Sequence, residues 1–173
     1  MRFKFLSVLA AVALLAACET APESSGNAQS SGASSSTSSS GSSTTSAVQI
    51  QGGSQEDLVV NVGDRVFFAF DSSELTAEAR ASLEKQAAWM KKFGGVRVTV
   101  EGHCDERGTR EYNLALGERR ANAAKDYLVA LGINPARVKT ISYGKERPAA
   151  LGHNETAWAQ NRRAVTVVDS TGS

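Results

Sequence analysis

The stretch from Val100 to Ala123, VEGHCDERGTREYNLALGERRANA, decides how this chain folds. It opens on the end of an alternating run, Val96-Arg97-Val98-Thr99-Val100-Glu101, whose period of two marks a strand with one covered face. Gly102 to Thr109 reads as a polar loop. From about Arg110 to Leu131 the period changes. Ala121, Ala124, Leu128 and Leu131 recur at i, i+3, i+7 and i+10, the apolar stripe of a helix. Gly132 stops that helix and Pro135 lies just beyond. A strand–loop–helix connection folds back on itself, so Asp105 of the loop and Arg120 of the helix can line one cleft.

Upstream, Val66-Phe67-Phe68-Ala69-Phe70 reads as a buried strand closed by Asp71-Ser72-Ser73. A helix is expected from about Thr76 to Phe93. Thr76 suits the N-cap and Glu78 the first turn. Leu83, Ala87 and Met90 form its buried stripe, and Gly94-Gly95 ends it. Downstream, the expectations are a strand over Val138 to Ser142, a short helix over Glu155 to Gln160 and a last strand over Arg163 to Asp169. The order β-α-β-α-β-(α)-β with right-handed crossovers predicts a two-layer α/β (α+β) sandwich, with helices on one face of a mixed sheet.

The N-terminus has another purpose. Arg2 and Lys4 precede an apolar run from Phe5 to Ala17, interrupted only by Ser7. The run is too short for a permanent membrane span and has the shape of an export signal. It closes on Leu15-Ala16-Ala17-Cys18, which resembles the lipobox of bacterial lipoproteins. That resemblance implies cleavage after residue 17 and lipidation of Cys18; the alternative is an ordinary secretory signal cut at its alanines. Glu19 stands where such proteins carry an Asp for inner-membrane retention, which favours the outer membrane.

Residues 18–54 are then the lipidated Cys and a tether of Ser, Thr, Gly and Ala, with too little apolar surface to offset its ordering entropy. About 35 such residues reach roughly 30–35 Å as a coil and roughly 115–125 Å at full extension. The globular domain occupies 55–173. With Cys18 lipidated, Cys104 has no partner in the chain, so no disulfide holds the domain.

Val100 to Ala123 also resembles the signature of OmpA-like peptidoglycan-binding domains. More narrowly, it resembles the peptidoglycan-associated lipoproteins of the Tol-Pal system. Phe68-Ala69-Phe70-Asp71, Ser142 to Pro148 and Asn161-Arg162-Arg163-Ala164-Val165 fall in the family's order, so the likeness spans the domain. It implies an outer-membrane lipoprotein that holds the wall non-covalently, supports constriction at division, and partners TolB and other Tol-Pal proteins. A second reading is a wall-anchoring lipoprotein that works without Tol proteins.

The implied ligand is the diaminopimelate of the wall's stem peptide, whose free end carries an ammonium and a carboxylate on one carbon. By resemblance, Asp105 accepts the ammonium and Arg120 forks onto the carboxylate. Phe70, Asp71 and Ser72, with Asn113 and Leu116, complete the pocket in the same pattern.

Structural alternatives remain open from the residues alone. Asp105 and Arg120 can be a plain ion pair. Asn113 can satisfy loop backbone, and Phe70 and Leu116 can be core. Arg162 and Arg163 either clamp the cleft from outside or pair with surface carboxylates, and Arg107 is a rim contact. Cys104 stands where the family usually has a small residue, and a buried thiol is expected there.

The net charge of +1 gives no field for nucleic acid. Catalysis is not expected. His103 and Cys104 are adjacent at a strand end and point apart, and only one further His, His153, exists. These residues also lack the spacing of a zinc site, so no cofactor or metal is expected.

Overall fold

The computed structural model describes residues 49–169. The export segment, Cys18 and the tether up to residue 48 lie outside the described residues.

Each α-helix starts behind a side chain that takes up one of its free N–H groups. In α1 (Gln55–Asn61), Ser54 Oγ accepts the Asp57 N–H at 3.1 Å. Thr76 Oγ1 accepts from Ala79 at the start of α2 (Ala77–Lys92), at 3.2 Å. Thr109 Oγ1 accepts from Tyr112 in α3 (Arg110–Ala130), and Asn154 Oδ1 accepts from Ala157 in α4 (Glu155–Asn161). Such a cap stabilises a helix by about 1 kcal/mol.

Four strands, β1 (Arg65–Phe67), β2 (Val98–His103), β3 (Val138–Gly144) and β4 (Arg163–Val168), form one sheet in the order β1-β4-β2-β3. β2 and β3 are parallel, and β4 runs antiparallel to both its neighbours. The last strand is thus inserted between the first two. The exits of β1, β2 and β3 and the entry to β4 therefore share one end of the sheet. Leu83, Ala87 and Met90 of α2 and Ala121, Ala124 and Leu128 of α3 pack with Val66, Val98, Val100, Val138 and Ala164 into one core. Burial of each large aliphatic contributes about 1.5–3 kcal/mol.

The sandwich and its mixed sheet are as expected, with four departures. First, α1 was unforeseen. It is seven residues long and buries only Asp57 and Leu58, so it shows no periodic stripe. The Ser54-x-x-Asp57 pattern was its one signal. Second, β1 stops at Phe67: the Phe68 N–H still bonds to the Arg162 carbonyl at 2.9 Å, but Arg162 is the C-cap of α4, so regular pairing ends there. It is an edge strand with Val66 buried between exposed Arg65 and Phe67; beyond it Phe68 is buried, and Ala69 and Phe70 are both exposed, so the alternation ends there. Third, β2 starts two residues late and continues through Gly102 and His103, because β3 goes on pairing beside it to Gly144. Fourth, Leu131 is only partly buried and caps α3.

α3 lies very close to β2. A Cβ built on Gly102 falls inside the van der Waals shell of the Gly117 backbone, and one on Gly117 collides with Ser142 Oγ. Two glycines facing each other set the helix at the height from which Arg120, one turn on, reaches the end of the sheet.

Candidate functional site

At that end of the sheet lies a cavity of about 160 Å³. Phe70 and Asp71 line it from the segment after β1, Cys104, Asp105 and Arg107 from the loop after β2, and Tyr112, Asn113, Leu116 and Arg120 from α3. Six of the seven expected ligand-binding residues therefore share one cavity. Ser72 is the seventh and does not line it: its carbonyl accepts from Arg120 Nε at 2.8 Å and its hydroxyl accepts the Glu74 N–H at 3.0 Å. Cys18 lies outside the described residues.

Arg120 is 1 % exposed. Besides the bond to Ser72, its Nη1 donates to the His103 carbonyl at 2.8 Å and its Nη2 to the Ala69 carbonyl at 3.1 Å. Its guanidinium also lies over the Phe68 ring, 5.3 Å from the centroid. Three of five N–H donors thus fasten the segment after β1 to the end of β2; among the described residues the other two have no oxygen partner, and the Cys104 thiol lies beside the guanidinium. Burial pulls this guanidinium below the usual arginine value, but it remains a cation at any physiological pH.

Asp105 is 4 % exposed. Its Oδ1 accepts the Arg107 backbone N–H and Nε, both at 3.1 Å, and its Oδ2 accepts Arg107 Nη2 at 2.7 Å and Arg162 Nη1 at 3.5 Å. Burial works to raise this carboxyl, but the Arg107 bonds and the Arg162 guanidinium outweigh it and hold the group below its ordinary value. The ion-pair alternative for Asp105 with Arg120 is not what forms: the carboxylate's ion pairs among the described residues are with Arg107 and Arg162.

The other positions divide by role. Leu116 is a buried apolar wall, and Phe70 is 60 % exposed at the mouth rather than in the core. Asn113 is buried and donates to the Arg107 and Thr109 carbonyls at 2.7 and 3.0 Å, so it fixes the loop as well as lining the cavity. Asp71 sits at φ 52°, and its carboxylate accepts the Tyr112 hydroxyl. That bond to an anion raises the Tyr112 phenol. Cys104 is buried, with Sγ 3.3 Å from the Asn113 carbonyl, and burial pushes its thiol up, away from a reactive thiolate. Burial, with Arg163 and Arg147 nearby, lowers His103 to about 4, so it is neutral at pH 7.

Three features were misjudged or unseen in the sequence. Arg107 is no mere rim contact: it forks onto Asp105, and its guanidinium lies between two rings, 4.0 Å from the Phe70 centroid and 4.1 Å from that of Trp158. Arg162 and Arg163 are both buried, and Arg162 makes the expected pair with a surface carboxylate, Glu155, while also reaching the site. Arg162 joins Asp105, the Phe68 carbonyl at 3.1 Å and Glu155 at 2.6 Å. Finally, α4 is part of the site. Trp158 Nε1 donates to Glu106 at 2.9 Å, and His153 Nδ1 lies 2.8 Å from the same carboxylate. A tryptophan in a seven-residue helix was the available sign.

Chemically, a buried carboxylate and a buried guanidinium in one small cavity, with apolar walls, suit a compact group that carries both charges.

Comparison with known proteins identifies the family of the chain. The OmpA family profile matches residues 67–162. The chain is 57 % identical over 121 residues to a protein named peptidoglycan-associated lipoprotein in Rhizobium meliloti (strain 1021), covering 70 % of this chain and 69 % of the relative. A Pseudomonas aeruginosa protein of the same name is 41 % identical over 160 residues, covering 92 % and 93 %. Among solved structures, the peptidoglycan-associated lipoprotein of Burkholderia pseudomallei aligns with TM-score 0.60 at 44 % identity, over 61 % of this chain and 90 % of that one. The C-terminal domain of Helicobacter pylori MotB aligns with TM-score 0.58 at 22 % identity over 63 % and 86 %, a likeness of fold alone.

Proposed function

This chain belongs to the OmpA family and, within it, to the peptidoglycan-associated lipoproteins, and on that premise we propose that its cavity binds the diaminopimelate end of a wall stem peptide. The observation that carries this reading is the pair of opposite buried charges, Asp105 and Arg120, on one cavity without an ion pair between them. Asp105 takes the ammonium, the two free N–H groups of Arg120 take the carboxylate, and Leu116 and Phe70 cover the carbon that bears them. Tyr112 and Asp71 border the same space. Binding of this kind makes and breaks no covalent bond. The thiol beside it is buried and held up in its protonated form, which supports a binding role over a catalytic one.

Calorimetric titration of the full chain with a diaminopimelate-ended stem tripeptide tests the site. Asp105→Asn is expected to lose the ammonium contact and weaken binding by about 10–100-fold. Because the folded Asp105 titrates below the ordinary carboxylate range, wild-type affinity should hold as pH falls from 7 to about 4 and decline only below that. Unchanged affinity in Asp105→Asn removes the assignment.

The wider role follows from the same family membership. Cys18 carries the lipid, residues 18–54 are the tether, and the domain from 55 onward holds the wall from an outer-membrane anchor. TolB and the other Tol-Pal proteins are its partners, with TolB competing for a face that overlaps the cavity, in support of envelope constriction at division.

A further inference from the structure

Asp105 has no vacancy for a ligand. Its oxygens already accept four bonds, three from Arg107 and one from Arg162. An incoming ammonium gains a place only if a guanidinium leaves. Arg162 is ill placed to do so. Its side chain is 7 % exposed and also fastened to the Phe68 carbonyl and to Glu155. Arg107 is different: its side chain is 31 % exposed, and among the described residues its guanidinium hydrogen-bonds only Asp105. It has somewhere to go as well. Glu155 Oε2 stands 4.0 Å from Arg107 Nη2, and the flanking rings of Phe70 and Trp158 offer the cation π-faces that do not depend on Asp105.

Resting on the stem-peptide reading of this cavity, we propose that Arg107 is its specificity-determining residue: a resident cation that occupies Asp105 until a ligand carrying both an ammonium and a carboxylate displaces it. The exchange moves no covalent bond. The Arg107 fork slides from Asp105 toward Glu155 while the two rings retain it. A lone ammonium merely replaces one cation on Asp105 by another and leaves a partly buried pair broken. A zwitterion also places its carboxylate on the free N–H groups of Arg120 and beside the freed Arg107. Only the second ligand makes up for the broken pair. Arg107 thus converts an acidic subsite, which accepts any amine, into one that demands both charges.

The test titrates the full chain, wild type and Arg107→Gln, with two stem tripeptides that differ only at the last residue, meso-diaminopimelate or L-lysine. The lysine peptide ends in an ammonium with no carboxylate beside it. The wild type is expected to favour diaminopimelate, and Arg107→Gln to tighten lysine-peptide binding about tenfold while changing diaminopimelate binding by less than about threefold. The selectivity ratio shrinks, which a purely structural role for Arg107 does not produce. If both peptides bind Arg107→Gln more weakly, or the ratio is unchanged, Arg107 is a ligand contact or a bystander and the proposal falls while the cavity's assignment stands. If the wild type binds neither peptide, the assignment itself falls and this proposal with it. Should Arg107→Gln fail to fold by thermal unfolding, Arg107→Lys carries the same test. Its ammonium cannot fork onto Asp105, so the ratio must shrink in the same direction, and an unshifted ratio rejects the proposal.

Discussion

Arg120 is asked to do two things with one guanidinium. It joins the carbonyls of Ala69, Ser72 and His103, from two separate segments, and it offers its remaining donors to the cavity. Removing it leaves three carbonyls short of a donor, that of His103 fully buried, and takes away a buried side chain, so Arg120→Ala is expected to destabilise the fold by about 2–5 kcal/mol. Arg120→Lys keeps the charge but cannot span three carbonyls in one plane, and should lose about half of that. Urea unfolding of both variants measures it; a loss under about 0.5 kcal/mol in Arg120→Ala contradicts the structural duty. This is also why Asp105→Asn is the cleaner probe of binding. The residue scale shows how far the sequence could be read. Asp105 and Arg120 could be placed on one cleft, because a strand, loop and helix that reverse direction bring them together. The partners of Arg120 could not, since main-chain carbonyls leave no mark on the side-chain sequence. Arg107 and Arg162 were underrated for a related reason: a charged residue in a loop reads as solvated until a partner is known.

At the scale of elements, the site exists because α3 can lie almost on the backbone of β2. Gly102 and Gly117 face each other there, and Ser142 Oγ, which donates to the Leu114 carbonyl at 2.6 Å, closes the gap. Gly102→Ala must push the helix outward or bend the strand. The expected cost is about 1–3 kcal/mol, as for an overpacked core, together with weaker stem-peptide binding, because Arg120 moves with the helix. Thermal unfolding and the same titration check both; a variant that keeps wild-type stability shows that the close approach can relax at no cost. The long periodic helices α2 and α3, the Thr76 cap and the glycine stops were legible before any coordinates, since periodicity and capping are local. What was not legible depended on partners distant in the chain. β1 is cut short by where β4 begins, and β2 is prolonged by the length of β3. The small helix α1 is held by a tertiary bond, with Asp57 Oδ2 accepting from Trp89 Nε1 at 2.8 Å, beside a local one from the Gly53 N–H at 2.9 Å.

On our reading the whole molecule connects two structures with different chemistries, a lipid bilayer and a peptide-bearing wall. The insertion of β4 between β1 and β2 gathers the three outgoing strand ends and the incoming one at a single edge, so the binding cavity is built at one end of the domain. On our reading the lipid on Cys18 and the tether do the rest. A chain of about 35 residues extended to roughly 115–125 Å permits a search for stem peptides without releasing the membrane. If that division of labour is right, the link needs both ends and fails when either is lost. Purified wall sacculi mixed with vesicles carrying the processed full chain should pull the vesicles down on centrifugation. Vesicles from cells making Asp105→Asn should stay behind, because the wall end is weakened. Cys18→Ser should accumulate as unprocessed precursor, and its domain should still sediment with sacculi while vesicles do not. Adding TolB to the wild-type mixture should release vesicles in proportion to its concentration, if it shares the face around the cavity. Co-sedimentation of vesicles by Cys18→Ser, with normal processing, would remove the lipid anchor from the account. Retention of both TolB and vesicles on saturated sacculi would separate the two binding faces and leave the cavity to the wall alone.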